Sequence, residues 1–281
     1  MDRLLISAAH KSSGKTTVSL GLCAALAARG LAVQPFKKGP DYIDPMWLGR
    51  ASARACHNLD PYLMTPEQIG AVFARQAAGA DISIVEGNKG LYDGLALDGS
   101  NSNAALAQLL GLPVLLVIDA RGMTRGIAPL ILGYQAFDRR IRIGGVILNR
   151  LGGSRHEAKL RAVIEHYTDV PVLGAIAEDT DLAVAERHLG LMPSNEHADA
   201  ARQIGLIGER IAAQVSLDRV RALAASAPAL NLTPMPIAPV ASPAQPVRIA
   251  LAQDRAFGFY YPDDLQALRD AGAELLPFDT L

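Results

Sequence analysis

Short apolar runs alternate along the chain with helical stretches. The runs contain few polar residues, as strands buried on both faces do, and they comprise Leu4–Ser7, Ala32–Phe36, Ile82–Glu86, Val114–Asp119, Ile143–Asn149 and Val172–Ile176. The first helical stretch begins at Lys15 and stops at Gly30, a residue suited to the position just past a helix end. Nearly continuous apolar strands between helices predict an α/β fold, with a mostly parallel sheet that helices cover on both faces.

Further helical stretches follow in the same alternation. One comes after Ser102, and another runs over Met123–Tyr134. A third opens with Ser154–Glu157, whose Ser and Glu have the spacing of a capping box. The last extends over Ala198–Ala225 and ends the regular pattern.

The composition changes after residue 226. Ala227–Pro246 is crowded with proline and has neither helical nor strand periodicity, which is typical of a linker between domains. Beyond it, "VRIALAQ", "DDLQALRDAG" and "AELLPF" predict a strand, a helix and a strand, a unit too small to bury a core alone. We therefore expect a first domain over residues 1–226 and the truncated start of a second α/β domain over 247–281. Alternatively, this tail packs onto the first domain.

Composition and charge exclude several classes of protein. The 281 residues carry a formal net charge of −1, so no broad basic field attracts nucleic acid or a membrane surface. No apolar run approaches the ~20 residues of a membrane-spanning helix, and no signal peptide precedes the first strand. Cys23 and Cys56 lack metal-ligand spacing, as do the histidines. We expect a cytoplasmic enzyme without nucleic-acid or membrane partners, and a homodimer stays open.

The segment "LLISAAHKSSGKTTVSLGLCAALAARG" places a serine-rich turn between a strand and an apolar helix. It is a variant of the P-loop pattern, with Ala9 in place of the first glycine. Backbone N–H groups at the helix start bind phosphate oxygens, Lys15 reaches the β- and γ-phosphates, and the Thr16 hydroxyl binds Mg²⁺. The pattern predicts a P-loop NTPase-type domain that binds a nucleotide together with Mg²⁺. The residues predicted to surround the phosphates are Ser12, Ser13, Gly14, Lys15 and Thr16.

Acidic residues follow two of the predicted strands. Glu86 ends its strand at the edge where open α/β sheets bind ligands, so its carboxylate is a candidate for Mg²⁺. In "PFKKGPDYIDP", Asp41 completes a metal site with Thr16 and Glu86, and Tyr42 is placed to hydrogen-bond a substrate carboxylate. Asp93, in "EGNKGLYDG", is a second candidate acid, with a solvated turn as the alternative.

Further polar residues lie near the predicted strand ends, and most of them allow two interpretations. Lys37 and Lys38 suit an anionic substrate, or form a solvated strand end. Asp44, which precedes a proline, is predicted to lie in a turn. Asn149 ends its strand with an amide that matches the edge of adenine, although a plain strand-end cap has the same sequence.

Motifs distributed along the chain carry a resemblance to one family. They are "PFKKGPDYIDP", "EGNKGLYDG", "LVIDARGM", "GVILNR", "AERHLGL" and "FGFYYPDDLQALRDAGAELLPFDTL". Together they strongly resemble the cobyrinic acid a,c-diamide synthase family over essentially the whole chain. The resemblance implies a dethiobiotin-synthetase-like P-loop domain that uses ATP and Mg²⁺, followed by a class I glutamine amidotransferase-like domain that releases ammonia from glutamine.

The resemblance also implies a reaction and its residues. The a and c acetate carboxylates of a tetrapyrrole would be converted to acyl phosphates by ATP, and ammonia would then displace phosphate. Carried over by motif, the P-loop residues would bind ATP, and they are His10, Lys11, Ser12, Ser13, Gly14, Lys15, Thr16 and Thr17. Asp41 and Glu86 would serve Mg²⁺ and phosphoryl transfer, with Thr16 as the third metal ligand and Lys15 acting in catalysis. Tyr42, Ile43 and Asp93 lie near the substrate, and Asn149 faces the adenine.

The chain departs from the family in two places. The amidotransferase cysteine is expected beyond Leu281, so this chain should require added ammonia or the missing portion rather than hydrolyse glutamine. Asn88 and Lys89 replace apolar residues of many members, so sirohydrochlorin or sirohaem stays open as the substrate. A dethiobiotin-synthetase-like ligase would lack a second domain. A ParA/MinD-like ATPase switch would carry lysine where this chain has His10.

Overall fold

A seven-stranded parallel sheet forms the centre of the molecule, with strand order β3-β2-β4-β1-β5-β6-β7. The computed structural model describes residues 1–179, 182, 186–187, 190–197, 199–230 and 247–281. The sheet strands are β1 Arg3–Ala8, β2 Val33–Lys38, β3 His57–Leu59, β4 Ile82–Glu86, β5 Val114–Asp119, β6 Ile143–Leu151 and β7 Val172–Ala177. Glu186–Arg187 (β8) and Gly190–Leu191 (β9) pair as a short antiparallel ribbon.

Helices cover both faces of this sheet, as the sequence predicts. They are α1 Lys15–Ala28, α2 Ile43–Ser52, α3 Pro66–Gln76, α4 Asn103–Leu109, α5 Ile127–Phe137, α6 Ser154–Tyr167, α7 Ala200–Gln214, α8 Leu217–Ala225 and α9 Pro262–Asp270. Strand residues alternate between two cores, so that Leu4 and Ile6 pack with α1, α2, α7 and α8, whereas Leu5 packs with α3 to α6. The α/β prediction with a mostly parallel sheet is confirmed.

The segment between β2 and β4 contains elements that the apolar pattern did not reveal. Asp44 and Pro45 lie in the first turn of α2, so the prediction of a turn there is wrong. The Asp41 carboxylate accepts hydrogen bonds from the backbone N–H groups of Ile43 (2.9 Å) and Asp44 (3.1 Å), and proline is tolerated in a first helical turn. A side-chain cap therefore starts a helix where the dipeptide alone suggests a turn.

Several predicted helices have different ends in the structure. Gly153, with φ 127°, precedes α6, and Glu157 pairs with Arg161 (2.7 Å), so the predicted capping box does not form. The single stretch predicted before residue 225 consists of α7 and α8, which are separated where Val215 forms an antiparallel bridge to Gly174 of β7. Tertiary pairing with the sheet edge therefore interrupts a sequence with continuous helical character.

The carboxyl-terminal segment forms the predicted strand–helix–strand unit, with Val247–Ala252 (β10) parallel to Ala273–Phe278 (β11) and α9 between them. It contacts the main sheet domain: Asp263 Oδ1 lies 3.0 Å from His57 Nδ1, and Asn195 donates to the Asp254 carbonyl (2.8 Å). Most of the predicted linker, residues 231–246, lies outside the described residues. The division into two domains stays a prediction. Across the described ranges, no helix has both the length and the apolar character of a membrane crossing.

The contact between α1 and α7 predicts opposite effects for alanine at two glycines. A Cβ on Gly21 would lie 2.2 Å from Ile211 Cγ1, so Gly21→Ala should lower the free energy of unfolding by ~1–3 kcal/mol through overpacking. Gly205 on α7 is exposed with open space around it, so the control Gly205→Ala should raise stability by up to ~1 kcal/mol. Urea unfolding measures both. Equal changes in the two variants would contradict the packing described here.

Candidate active site

The P-loop between β1 and α1 is held in a fixed shape by its own backbone and by β6. Ser12 and Gly14 both have left-handed backbone conformations (φ 64° and 85°), and the Ser13 hydroxyl donates to the His10 carbonyl (2.8 Å). Asn149 donates its amide to the Ser13 carbonyl (2.9 Å), and a Cβ on Gly14 would lie 2.1 Å from that amide nitrogen. Glycine is therefore required at position 14 by conformation and by space.

The ammonium group of Lys15 in the P-loop is available to a ligand. Lys15 is partly exposed, and among the described residues it has no hydrogen bond or ion pair. His10, Lys11 and Ser12 are exposed, and Thr16 and Thr17 are partly exposed. Backbone N–H groups at the start of α1 and an unpaired ammonium beside them form the arrangement that binds phosphate.

An arginine that sequence reasoning missed supports the P-loop from the side. Arg150 Nη1 donates to the Ser12 carbonyl (2.9 Å) and to Asp119 Oδ2 (2.8 Å), and its own backbone is left-handed (φ 58°). Burial alone would raise the pKa of Asp119, but hydrogen bonds from Arg121 and Arg150 lower it to about 2. Asp119 therefore stays ionised and holds Arg150 against the loop.

The ammonium group of Lys37 lies among the carboxylates of Asp41, Asp44 and Glu86 at the carboxyl ends of β2 and β4. This cluster is called the acidic centre below. The Lys37 Nζ is 2.5 Å from Asp44 Oδ2, 2.8 Å from Glu86 Oε1 and 3.7 Å from Asp41 Oδ2. Lys37 is 2% exposed and Glu86 is 0% exposed. The proposed solvated strand end is therefore wrong for Lys37, because the side chain is enclosed and neutralised by acids from two other segments.

The ionisation of this cluster follows from burial and mutual contacts. Burial opposes the charge on Lys37, but Asp44, Glu86 and Asp41 raise its pKa well above the ordinary value. Burial and the nearby Asp44 raise the pKa of Glu86, against the effect of Lys37. Burial and Lys37 lower the pKa of Lys15, while the three acids oppose that change. Lys37 is therefore a permanent cation that keeps these carboxylates together.

Thr16 and Glu86 offer oxygen atoms suited to Mg²⁺. The Thr16 hydroxyl donates to Glu86 Oε1 (2.8 Å) and lies 3.4 Å from Asp44 Oδ2. Glu86 Oε2 is buried without a hydrogen-bond partner, which is costly unless a ligand engages it. Within the described ranges no three His, Cys, Asp or Glu side chains form a ready-made metal site. Mg²⁺ commonly takes one or two protein oxygens together with nucleotide phosphates, so these residues fit the ion.

The remaining predicted site residues lie around this centre. Asp41 uses one carboxylate oxygen to start α2, and its other oxygen faces Lys37. The Tyr42 ring stacks on Tyr261 (centroids 4.2 Å apart) and Phe259 (5.4 Å) of the carboxyl-terminal segment. Asp93 is exposed and accepts from the Gly90 N–H (2.8 Å). Thus the structure gathers Thr16, Asp41 and Glu86, whereas Tyr42 and Asp93 lie further out.

The sequence carried a usable signal for one of the missed residues. Asp41 and Asp44 are three apart at a helix start, a spacing that places both carboxylates on one side of the first turn. Nothing local identifies Arg150, because its partners Ser12 and Asp119 come from other segments. Lys37 was a candidate in the sequence, but its contact with Glu86 comes from another strand.

Comparison with known proteins places the chain in a family. Residues 5–191 match the model described as "CobQ/CobB/MinD/ParA nucleotide binding domain". The chain belongs to this family. The match agrees with the P-loop geometry between β1 and α1.

Members named for one activity are similar over the whole chain. The "Cobyrinate a,c-diamide synthase" of Magnetococcus marinus is 49% identical over 100% of this chain and 61% of its own length. That of Methanosarcina acetivorans is 45% identical over 99% and 58%. The "Hydrogenobyrinate a,c-diamide synthase" of Streptomyces coelicolor is 41% identical over 100% and 64%. The resemblance to cobyrinic acid a,c-diamide synthases is confirmed, and this chain spans about three fifths of the length of these relatives.

One solved structure aligns with this chain at low identity. The cell division ATPase MinD of Pyrococcus furiosus covers 76% of this chain and 99% of its own, at 19% identity and a TM-score of 0.46.

Removing the Lys37 ammonium should destabilise the protein in a pH-dependent way. In Lys37→Met the buried acids lose their cation, so the free energy of unfolding at pH 7 should fall by ~3–5 kcal/mol. Loss of the cation raises their folded-state pKa values, so stability is present at low pH and is lost as pH rises through those values. Urea unfolding between about pH 5 and 7 should show the deficit shrinking toward pH 5. The exposed control Lys159→Met should lack this trend, and a pH-independent deficit in Lys37→Met would contradict it.

Proposed function

We propose that this protein is the ATP-dependent part of an amide ligase acting on the a and c acetate carboxylates of cobyrinic acid or a close relative. One observation carries the proposal: Thr16, which follows the P-loop Lys15, donates to the buried Glu86, and Glu86 Oε2 lacks a hydrogen-bond partner among the described residues. Lys15 likewise makes no hydrogen bond or ion pair within those residues. The names of relatives that are 41–49% identical over the whole chain supply the class of substrate.

The proposed reaction has two steps. A substrate carboxylate oxygen attacks the γ-phosphorus of ATP, which breaks the bond to ADP and gives an acyl phosphate. Ammonia then attacks the acyl carbon, inorganic phosphate leaves, and the ammonia nitrogen loses a proton to form the amide. Such transfers depend on positioning and charge neutralisation more than on covalent help from the protein.

The chain's residues divide this work among them. Lys15 neutralises charge on the β- and γ-phosphates, and Thr16 and Glu86, with Asp41 or Asp44 nearby, hold Mg²⁺. Bound Mg²⁺ supplies further neutralisation of the phosphoryl oxygens. Lys37 keeps the acids in place, and in this scheme it contacts no substrate.

Three residues carry proposed roles in recognising the two substrates. Tyr42 and Asp93 flank the acidic centre and would border the acid substrate. Asn149 uses its amide nitrogen on the P-loop, so its carbonyl oxygen is the group that would accept from the adenine amino group. Sirohydrochlorin and sirohaem remain alternative acids, whereas the relatives' names do not favour a dethiobiotin synthetase or a ParA/MinD-like switch.

Residues 247–281 are proposed to begin a glutamine amidotransferase-like domain that delivers ammonia. The parallel pair β10 and β11 with α9 between them is the start of an α/β unit, and α9 has no fully buried residue. We propose glutamine as the ammonia source of the whole protein, a cytoplasmic location, and residues 1–226 as the synthetase domain.

ADP release in the presence of Mg²⁺, ammonium and candidate acids tests the function. We expect cobyrinic acid to stimulate ADP release, and mass spectrometry with isotope-labelled ammonium to detect nitrogen in the product. Lys15→Ala is the matched negative control, because within the described residues Lys15 makes no hydrogen bond or ion pair and the fold should survive its loss. Stimulation by none of cobyrinic acid, hydrogenobyrinic acid and sirohydrochlorin would overturn the proposal.

Glu86→Gln should slow the chemical step more than it weakens substrate binding. The amide keeps the size of the side chain but lacks the charge that a phosphate-bound Mg²⁺ requires, so kcat should fall by roughly 10²-fold or more. Steady-state kinetics at several Mg²⁺ concentrations measures kcat and KM separately. A large increase in KM with unchanged kcat would contradict the assigned role.

A further inference from the structure

Two lysines that the proposed phosphoryl transfer does not use lie together beside the acidic centre. Lys38, only 5% exposed, donates to the Asn88 side-chain carbonyl (3.0 Å). Lys89 is exposed and, within the described part of the chain, has no hydrogen bond or ion pair. Burial lowers the pKa of Lys38, Asp60 opposes this effect, and the nearby Lys89 ammonium lowers it further. Two repelling ammonium groups, one of them buried, favour an anionic ligand between them.

The loop that carries Lys89 is rigidly fixed. Asn103, which is fully buried, donates to the carbonyls of Asn88 (2.5 Å) and Gly90 (2.8 Å) and accepts from the Asn88 N–H (3.1 Å). A Cβ on Gly87 would lie 2.7 Å from the Asn103 side chain, so the loop packs tightly on it. Lys89 itself has a left-handed backbone (φ 45°) between these fixed points. The backbone position from which its side chain extends is thus fixed by the fold.

Large apolar side chains line the cavities that also contain Lys38 and Lys89. Tyr62, Leu95, Leu97 and Phe137 are 76%, 78%, 106% and 76% exposed, although they are large apolar side chains. They line two adjacent cavities, of about 190 and 870 Å³, and both cavities are also lined by Lys89 and Asp93–Leu95. The combined groove is large enough for a macrocycle, and its apolar side chains are the kind that mark a binding surface.

The acids around the groove accept hydrogen bonds from local donors, although Asp60 Oδ2 is buried without a hydrogen-bond partner among the described residues. Asp93 accepts from the Gly90 N–H, Asp98 from the Ser100 N–H, and Asp60 from the Tyr62 N–H. Asp138 is paired with Arg140 (2.8 Å). Lys89 therefore keeps its charge for a ligand, and the groove combines an apolar wall with an unpaired cation.

We propose that this groove binds the tetrapyrrole acid, with Lys38 and Lys89 holding a side-chain carboxylate that does not react. Leu95, Leu97 and Phe137 contact the macrocycle. This inference rests on the proposed function, and it adds a specificity-determining clamp to it. A flat apolar ring with carboxylates at its edge matches both chemical features of the groove, and the shared wall joins them to the loop that begins at Glu86.

Direct binding of cobyrinic acid tests the clamp apart from turnover. Equilibrium dialysis of the full chain, without ATP, should give a Kd about tenfold or more weaker for Lys89→Met, because a charge-assisted contact is lost. Lys89→Arg should keep the wild-type Kd within about threefold, since the cation remains. The matched control Lys159→Met should leave the Kd unchanged. Calorimetry should find ATP binding unaltered in all three variants.

The outcomes separate the clamp from the proposed function. Weaker cobyrinic acid binding in Lys89→Met with rescue in Lys89→Arg supports the clamp, whether or not ADP is released. Equal binding by wild type and Lys89→Met, or no binding by either, overturns it, even if the wild type forms an amide. A second copy of this chain is the alternative occupant of the groove, and sedimentation of Leu97→Ser tests it. A lower mass for this variant than for the wild type would show self-association through the groove and would also overturn the proposal.

Discussion

The buried ammonium of Lys37 is the contact on which the active end of the sheet depends. It joins Glu86 at the end of β4 to Asp44 at the start of α2, and Glu86 accepts from Thr16 at the start of α1. Removing such ions from water costs several kcal/mol for each ion, so each group in the cluster relies on the others. Segments distant in sequence are therefore held together by one charge at the place where a nucleotide would bind.

The cluster also separates the roles of two nearby lysines. Lys37 is enclosed and fully paired, whereas Lys15 is partly exposed and, within the described ranges, unpaired. The cation available to phosphate is consequently the one in the P-loop. Tyr42 lies between Asp41 and α2 and stacks on Tyr261, so residues 247–281 contact the very loop that supplies two of the acids. The carboxyl-terminal segment therefore packs next to the acidic centre.

Apolar patterning predicted the sheet well because each strand buries both faces. Leu4, Leu5 and Ile6 all face one of two cores, which leaves an uninterrupted apolar run in the sequence. The same pattern overlooked α2, β3 and α3, where short elements are fixed by caps rather than by apolar periodicity. The Thr65–Gln68 capping box with Pro66 was present in the sequence and indicates the start of α3.

The sequence by itself determined six of the seven strands of the main sheet, the phosphate loop at Gly14–Thr16 and the acid at the end of β4. These features depend on neighbours within a few residues, so a linear pattern contains them. Only the tertiary structure decided that Lys37 is buried and that Arg150 supports the P-loop. It also decided that Asp44 begins a helix and lies beside Thr16, where the sequence predicted a turn. A charged side chain can be buried only where other polar groups compensate for its lost hydration. Those groups are distant in sequence, and they meet because the parallel strands end at the same edge of the sheet.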